Sequence, residues 1–272
     1  MKIQVRAVFR AGRRGRLFSL DIQPLGVPVQ GVVLHVPAFA EEMNKARRQV
    51  SLQARALAAR GWRVILPDLY ATGDSEGEFE QADWDLWCKD LADLASEVSG
   101  SRPPVLWGLR VGALLARALL ERVQAAGLLL WQPVTRGEQF LTQFLRLRLA
   151  ASMLGGESRE TVADLRSQLT RDGVLEVAGY SLPQRLADAL QQRTLEPPVA
   201  ALPVAWFEVA ANPGRDLGPA SRKLVEAWQA SGCDLHASTV VGEPFWSTQE
   251  IKTLPGLIEA STASLQSWQP RS

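Results

Sequence analysis

Gly108-Leu109-Arg110-Val111-Gly112 follows a short apolar run, Pro104-Val105-Leu106-Trp107, and opens an apolar stretch that reads as a helix to about Val123. Two glycines four residues apart let a strand turn into a helix so tightly that only small residues fit at both positions. The residue between them projects at the helix N-terminus, where reactive versions of this turn carry a nucleophile. Here that residue is Arg110, not Ser, Cys or Asp. A guanidinium stays protonated at any usable pH, so it cannot act as a covalent nucleophile. It adds positive charge to a helix end that already favours anions through free N–H groups and the macrodipole. The turn therefore reads as an anion receptor.

The surrounding elements must place that turn at a sheet edge. Ile3–Phe9 and Leu17–Ile22, joined by the turn at Ala11–Gly15, read as a β-hairpin. Gly31–Val36 is a nearly continuous apolar run, as a central strand buried on both faces requires. Residues 43–60 have helical spacing, Arg63–Pro67 reads as a strand, and 82–98 as a helix. Gly127–Trp131 is the next strand. Residues 135–199 interrupt the alternation with helix-forming sequence and no clear strand. Strand Val204–Val209, helix 219–231, strand Leu235–Val240 and helix 248–268 then restore it. Alternating strands and helices predict a mostly parallel sheet with right-handed crossovers. The order is that of an α/β-hydrolase fold, with a core from 1–134 and 200–272 and an inserted helical cap, or lid, at 135–199.

Chain order then locates the partners of the turn, because this fold places an acid and then a His after it. The strand after the lid runs into Ala210-Ala211-Asn212-Pro213, which has no carboxylate. Asp216 follows, either as a displaced acid or as a helix N-cap, the reading preferred here. After the last strand, Gly242-Glu243-Pro244-Phe245-Trp246 puts Glu243 where the His belongs. Arg110 and Glu243 thus take the triad positions, and opposite charges predict a bidentate ion pair between them. The two histidines fall elsewhere: His35 ends a central strand and His236 lies within the last one, both read as structural.

The loop Pro37-Ala38-Phe39-Ala40-Glu41-Glu42-Met43-Asn44-Lys45 stands where this fold supplies an oxyanion N–H. Its paired carboxylates either hold a ligand or bind Arg110, or simply enrich a first helical turn in acids. Ala38, Phe39, Glu41 and Glu42, with Val111 and Trp246, are the candidate binding residues. The loop Asp68–Gly77 shapes the turn above the sheet edge, with Ala71 at a usual Gly position. Trp84 and Trp87 read as helix packing, and Cys88 has no activating neighbour.

Bulk properties narrow the classes. Two His and two Cys exclude most zinc sites and a disulfide scaffold, so no metal or cofactor is expected. A net charge of +1 gives no pull toward nucleic acid or anionic lipid. Five of the arginines fall within the first 16 residues and read as a solvated hairpin face and turn. Val111–Trp131, the longest apolar stretch, is broken by Arg117, Glu121 and Arg122 and cannot span a bilayer. No apolar signal-peptide region opens the chain, so a cytoplasmic protein with reduced thiols is expected. Oligomeric state is left open, a homodimer included.

Phe39–Lys45, Gly73-Asp74-Ser75, Trp107–Leu114, Trp131–Val134 and Gln143–Arg148 resemble the exosortase A system-associated hydrolase 2 family. The resemblance extends over nearly the whole chain. It implies an α/β-hydrolase-like protein of a Gram-negative cytoplasm, linked to exopolysaccharide production and exosortase (PEP-CTERM) sorting. Arg110 belongs to that family's pattern, and the word hydrolase there rests on fold. Three readings remain. The first is a protein binding an anionic small molecule or an acyl or carrier ligand. The second is an ester or thioester hydrolase in which Glu243, Glu41 or Glu42 activates water while Arg110 stabilises an oxyanion. The third is a non-catalytic partner protein.

Overall fold

The structure, a computed structural model, describes residues 2–100, 102–155, 160–198 and 201–268. Strands β1 (Ile3–Ala11) and β2 (Arg16–Pro24) form the expected hairpin, closed by Gly12 N–H donating to the Gly15 carbonyl at 2.8 Å. Strands β3 (Gly31–Val36), β4 (Trp62–Pro67), β5 (Val105–Leu109) and β6 (Gly127–Trp131) follow. A two-stranded unit, β7 (Val174–Val177) and β8 (Tyr180–Pro183), precedes β9 (Val204–Ala210) and β10 (Leu235–Val241). The main sheet has the order β1-β2-β4-β3-β5-β6-β9-β10. Strand β2 runs antiparallel to both its neighbours, β1 and β4; every other pair in the sheet is parallel.

The central strands are apolar at nearly every position because both faces are covered. Leu106, Leu128, Leu130, Val204 and Trp206 pack on one face with helices α2 (Trp84–Val98), α3 (Gly112–Leu119) and α7 (Pro219–Ala230). Val33, Trp107, Leu129, Trp131, Ala205 and Phe207 pack on the other with α1 (Glu41–Ala58) and α8 (Pro255–Ser267). The two-residue period of a strand sorts neighbours between these cores. Two buried glutamines tie α1 to the C-terminal segment. Gln49 exchanges two hydrogen bonds with the Leu254 backbone, and Gln53 donates to Thr262 Oγ1 at 3.1 Å.

Between β6 and β9 lie α4 (Gly137–Gly155), α5 (Val162–Asp172), the β7–β8 hairpin and α6 (Gln184–Gln191). The hairpin corrects the all-helical reading of this segment. Ala178 and Gly179, at φ 51° and 83°, supply the left-handed pair that a tight hairpin turn demands. Alternation in Val174-Leu175-Glu176-Val177 was its signal, over strands too short to part from helix by period. The last helix begins at Pro255, seven residues later than expected near 248, because Pro244 and Pro255 bracket an irregular stretch. Four of the five N-terminal arginines are exposed, as expected, and only Arg10 is partly buried. Arg10 bridges Asp21 and Glu97, Arg13 pairs with Asp93 at 2.9 Å, and Arg16 with Glu76 at 2.6 Å.

Candidate functional site

Arg110 sits on the turn between β5 and α3 with φ at 56°, a left-handed conformation that costs a non-glycine residue energy. The glycines on either side explain why the turn holds. A Cβ on Gly112 would lie 2.1 Å from the Val36 carbonyl oxygen, and one on Gly108 2.7 Å from the Ala113 Cα. The turn is wedged against the end of β3, and Arg110 N–H donates to the Trp131 carbonyl at 3.0 Å.

The guanidinium does not meet Glu243. Its Nε and Nη2 both lie 3.1 Å from Oε1 of Glu42, in the first turn of α1. Nη1 donates to the Gln132 carbonyl at 3.4 Å, and the cation rests 5.3 Å from the Trp246 ring centre. Glu243 is exposed and pairs with Lys252 at 3.3 Å. The predicted Arg110–Glu243 pair is thus corrected to Arg110–Glu42, one of the alternatives open for the acidic loop. The physical reason is reach: Trp246, two residues past Pro244, turns inward onto Arg110, while Glu243 stays at the rim with Lys252.

Both partners of the pair are largely enclosed, with side-chain exposures of 15% for Arg110 and 20% for Glu42. Burial pushes the Glu42 carboxyl above its usual range, and the facing Arg110 charge opposes that shift. Oε2 of Glu42 is buried with no hydrogen-bond partner among the described residues. Such an oxygen carries a desolvation cost that a donor on a ligand would remove.

The remaining candidates divide. Glu41 is exposed and accepts from Asn44 Nδ2 and the Tyr180 hydroxyl, both at 3.2 Å. Ala38 and Val111 are buried beside the turn. Phe39 is the hub of an aromatic cluster, with edge contacts to Phe79, Trp87, Phe140 and Phe144. Its ring is therefore spent on packing. Ala40 at φ 51°, ψ −127° bends this loop into α1, in a conformation that favours glycine.

Asp216 is not the cap of α7. Pro219 sets the first turn, so the cap position falls on Gly218, and Asp216 lies exposed against Arg222 at 3.3 Å. His35 is buried, donating from Nδ1 to the Trp107 carbonyl at 3.1 Å; burial pushes its pKa down to about 3. His236 is exposed near Asp234. Neither approaches Arg110 within hydrogen-bonding distance. Cys88 is buried and its thiol is pushed up to about 11, as its unremarkable neighbours suggested. Trp84 and Trp87 are core residues, and Trp87 Nε1 donates to the Tyr70 carbonyl at 2.9 Å. The Asp68 loop is structural. Its carboxylate accepts from Arg47 and the Asp74 N–H, and Ala71 adopts φ 65° at the usual Gly position.

Two polar residues escaped the sequence reading. Gln132, at φ 40°, accepts the Val209 N–H at 2.7 Å and offers its carbonyl to Arg110. Buried Glu208 binds the Trp206 indole and the Gly218 N–H. An in-strand carboxylate amid apolar neighbours, and a polar residue between strand-ending Trp131 and Pro133, were the available signals.

No family model and no curated protein matches the chain. Solved structures do. Est1E from Butyrivibrio proteoclasticus with ferulic acid bound superposes at a TM-score of 0.72, with 15% identity over 96% of this chain and 99% of that one. The superposition takes in nearly the whole of both chains. This is an α/β-hydrolase fold. An α/β serine hydrolase without lid from Xanthomonas campestris matches at 0.58, with 16% identity over 99% and 97% of the two chains. Epoxide Hydrolase A from Mycobacterium thermoresistibile matches at 0.57, with 16% identity over 97% and 98%. At such identities the likeness carries the hydrolase fold, and activity must be argued from the site. Among the described residues no helix is long and apolar enough to cross a membrane.

Proposed function

We propose that this hydrolase-fold protein binds an anionic or acyl-bearing small molecule at Arg110 without covalent catalysis. The observation that carries the reading is a guanidinium, 15% exposed, on the turn that reactive relatives of the fold give to a nucleophile. Arg110 and Glu243 then stand as a degenerate triad, with Glu42 in place of a base's partner. A guanidinium has five N–H donors, and Glu42 engages it through one oxygen only, so donors remain for a carboxylate or phosphate. An arriving anion competes with Glu42. Because burial already favours the protonated form of Glu42, binding takes up a proton there and frees the cation. The inserted segment, 135–199, serves as a cap, with Phe140 and Phe144 of α4 packed on Phe39. The motif resemblance supports a cytoplasmic role alongside exopolysaccharide production and exosortase sorting.

Isothermal titration with hexanoate and with inorganic phosphate tests the reading. Saturable binding to at least one, weakened about tenfold or more by Arg110→Ala, is the expected result. Silence toward both anions, or binding indifferent to Arg110→Ala, overturns it.

The unpaired Oε2 of Glu42 favours one second reading, in which Glu42 activates water against an ester while Arg110 holds the oxyanion. That mechanism requires turnover of p-nitrophenyl hexanoate without a burst, abolished by Glu42→Gln. Exposed Glu243, paired with Lys252, has no part in it.

A further inference from the structure

On the sheet face covered by α1 lies a cavity of about 170 Å³. Leu20, Met43, Ala46, Val50, Leu66 and Leu109 give it apolar walls, and neither Arg110 nor Glu42 lines it. His35, buried at 4% exposure, stands in the wall. We propose that this cavity is a second binding site, for a small apolar molecule carrying one hydroxyl, such as a phenol or short-chain alcohol.

The imidazole defines the hydrogen bond on offer. Nδ1 donates to the Trp107 carbonyl at 3.1 Å, so the neutral ring keeps its proton there and Nε2 is a bare acceptor. No described residue donates to Nε2. Stacking on Trp107, with ring centres 4.4 Å apart, holds the ring in place. Burial keeps it uncharged far below neutral pH, so it greets a hydroxyl donor rather than an anion.

Size and wall chemistry set the rest of the ligand. A dry apolar cavity of about 150 Å³ accepts a benzene-sized guest. Arg47, Ser51 and Asp68 complete the polar lining, and Arg47 and Asp68 are taken up by their own pair at 3.2 Å. Met43 and Arg47 also line a wider cup of about 500 Å³ bordered by Thr72, Asp74 and Tyr180. Arg47 is 43% exposed along its side chain, so its pair with Asp68 marks the mouth. This site is independent of the reading given to Arg110.

The test is an NMR titration of the whole protein, labelled with ¹⁵N-histidine, with phenol and with toluene. Phenol should shift the His35 Nε2 resonance saturably, as a hydrogen-bonded acceptor shifts, and toluene should not reproduce that shift. Ala46→Leu and Val50→Phe each fill the cavity, and each should weaken phenol binding about tenfold or more. Melting curves show whether these variants fold, and the two substitutions on separate turns guard against one failing. A His35 resonance indifferent to phenol overturns the proposal. So does phenol affinity unchanged in the folded, filled variants, or a phenol-soaked crystal with only water in the cavity.

Discussion

Arg110 and Glu42, 68 residues apart, meet through one carboxylate oxygen while the other stays buried and unpaired. Two N–H groups crowd Oε1, and Oε2 gains nothing from the cation. The pair neutralises the charge at the sharp turn but leaves its hydrogen bonding half complete on both sides.

Replacing Glu42 by Gln keeps the shape and removes the charge. Because burial outweighs the Arg110 charge at this carboxyl, the uncharged amide should leave stability near neutral pH within about 1 kcal/mol of the native protein. Anion affinity should rise and lose its pH dependence. In the native protein affinity should grow as pH drops, because Glu42 must take a proton. For stability the sign is also set. The folded carboxyl titrates above its ordinary 4.5, so just above that pH the folded state holds a proton that the unfolded chain has released. This group's contribution therefore declines as pH rises through that window. Calorimetric titrations at several pH values check both; an anion affinity that is flat with pH in the native protein contradicts the proton uptake.

Arg110→Ala and Arg110→Gly remove the same ion pair but differ at the backbone. With φ at 56°, alanine keeps the left-handed strain and glycine relieves it. The glycine variant should be more stable by about 1 kcal/mol, read from urea midpoints. Equal midpoints would show that the turn carries no strain.

His35 should make the protein acid-sensitive. Its folded pKa is depressed to about 3 from 6.5, so below 6.5 the unfolded chain takes a proton that the folded protein refuses. Stability should then fall with decreasing pH, by about 1.4 kcal/mol per unit at its steepest, until the folded pKa is reached. His35→Gln, which does not titrate, should lose this slope in urea denaturation at a series of pH values, whatever its own stability at neutral pH.

Tyr180 ties the β7–β8 hairpin to α1. Its hydroxyl donates to Glu41 Oε2 at 3.2 Å and accepts from Asn44 Nδ2 at 2.9 Å, while its ring packs on Phe79. Tyr180→Phe keeps the ring contact and cuts the tether, costing about 0.5–1.5 kcal/mol. Hydrogen exchange should accelerate at residues 174–183 and stay unchanged in β3 and β5. Uniform acceleration would instead mean a global loss.

Most of the fold was legible because its rules are local. Doubly buried strands such as Leu128–Trp131 are apolar throughout, and α1 repeats its apolar positions with helical spacing. The β7–β8 hairpin was not legible: four residues per strand are too few for periodicity, and its Ala178-Gly179 turn lacks the usual Asn or Asp. The cap of α7 was misplaced because Asp216 is a good capping residue in the wrong register to Pro219.

The sequence by itself determined the turn at Arg110. Two glycines at that spacing, between an apolar strand and an apolar helix, dictate a backbone path, and the residue between them has no other place to go. Chain order then favoured Glu243 to answer its charge, with Glu41 and Glu42 as the alternative. Only the tertiary structure chose. The phase of α1 carries Glu42 inward and Glu41 outward to Tyr180, and the bend at Pro244 delivers Trp246 rather than Glu243 to the guanidinium. Backbone conformation is written in neighbouring residues, whereas the partner of a charge depends on how distant elements pack.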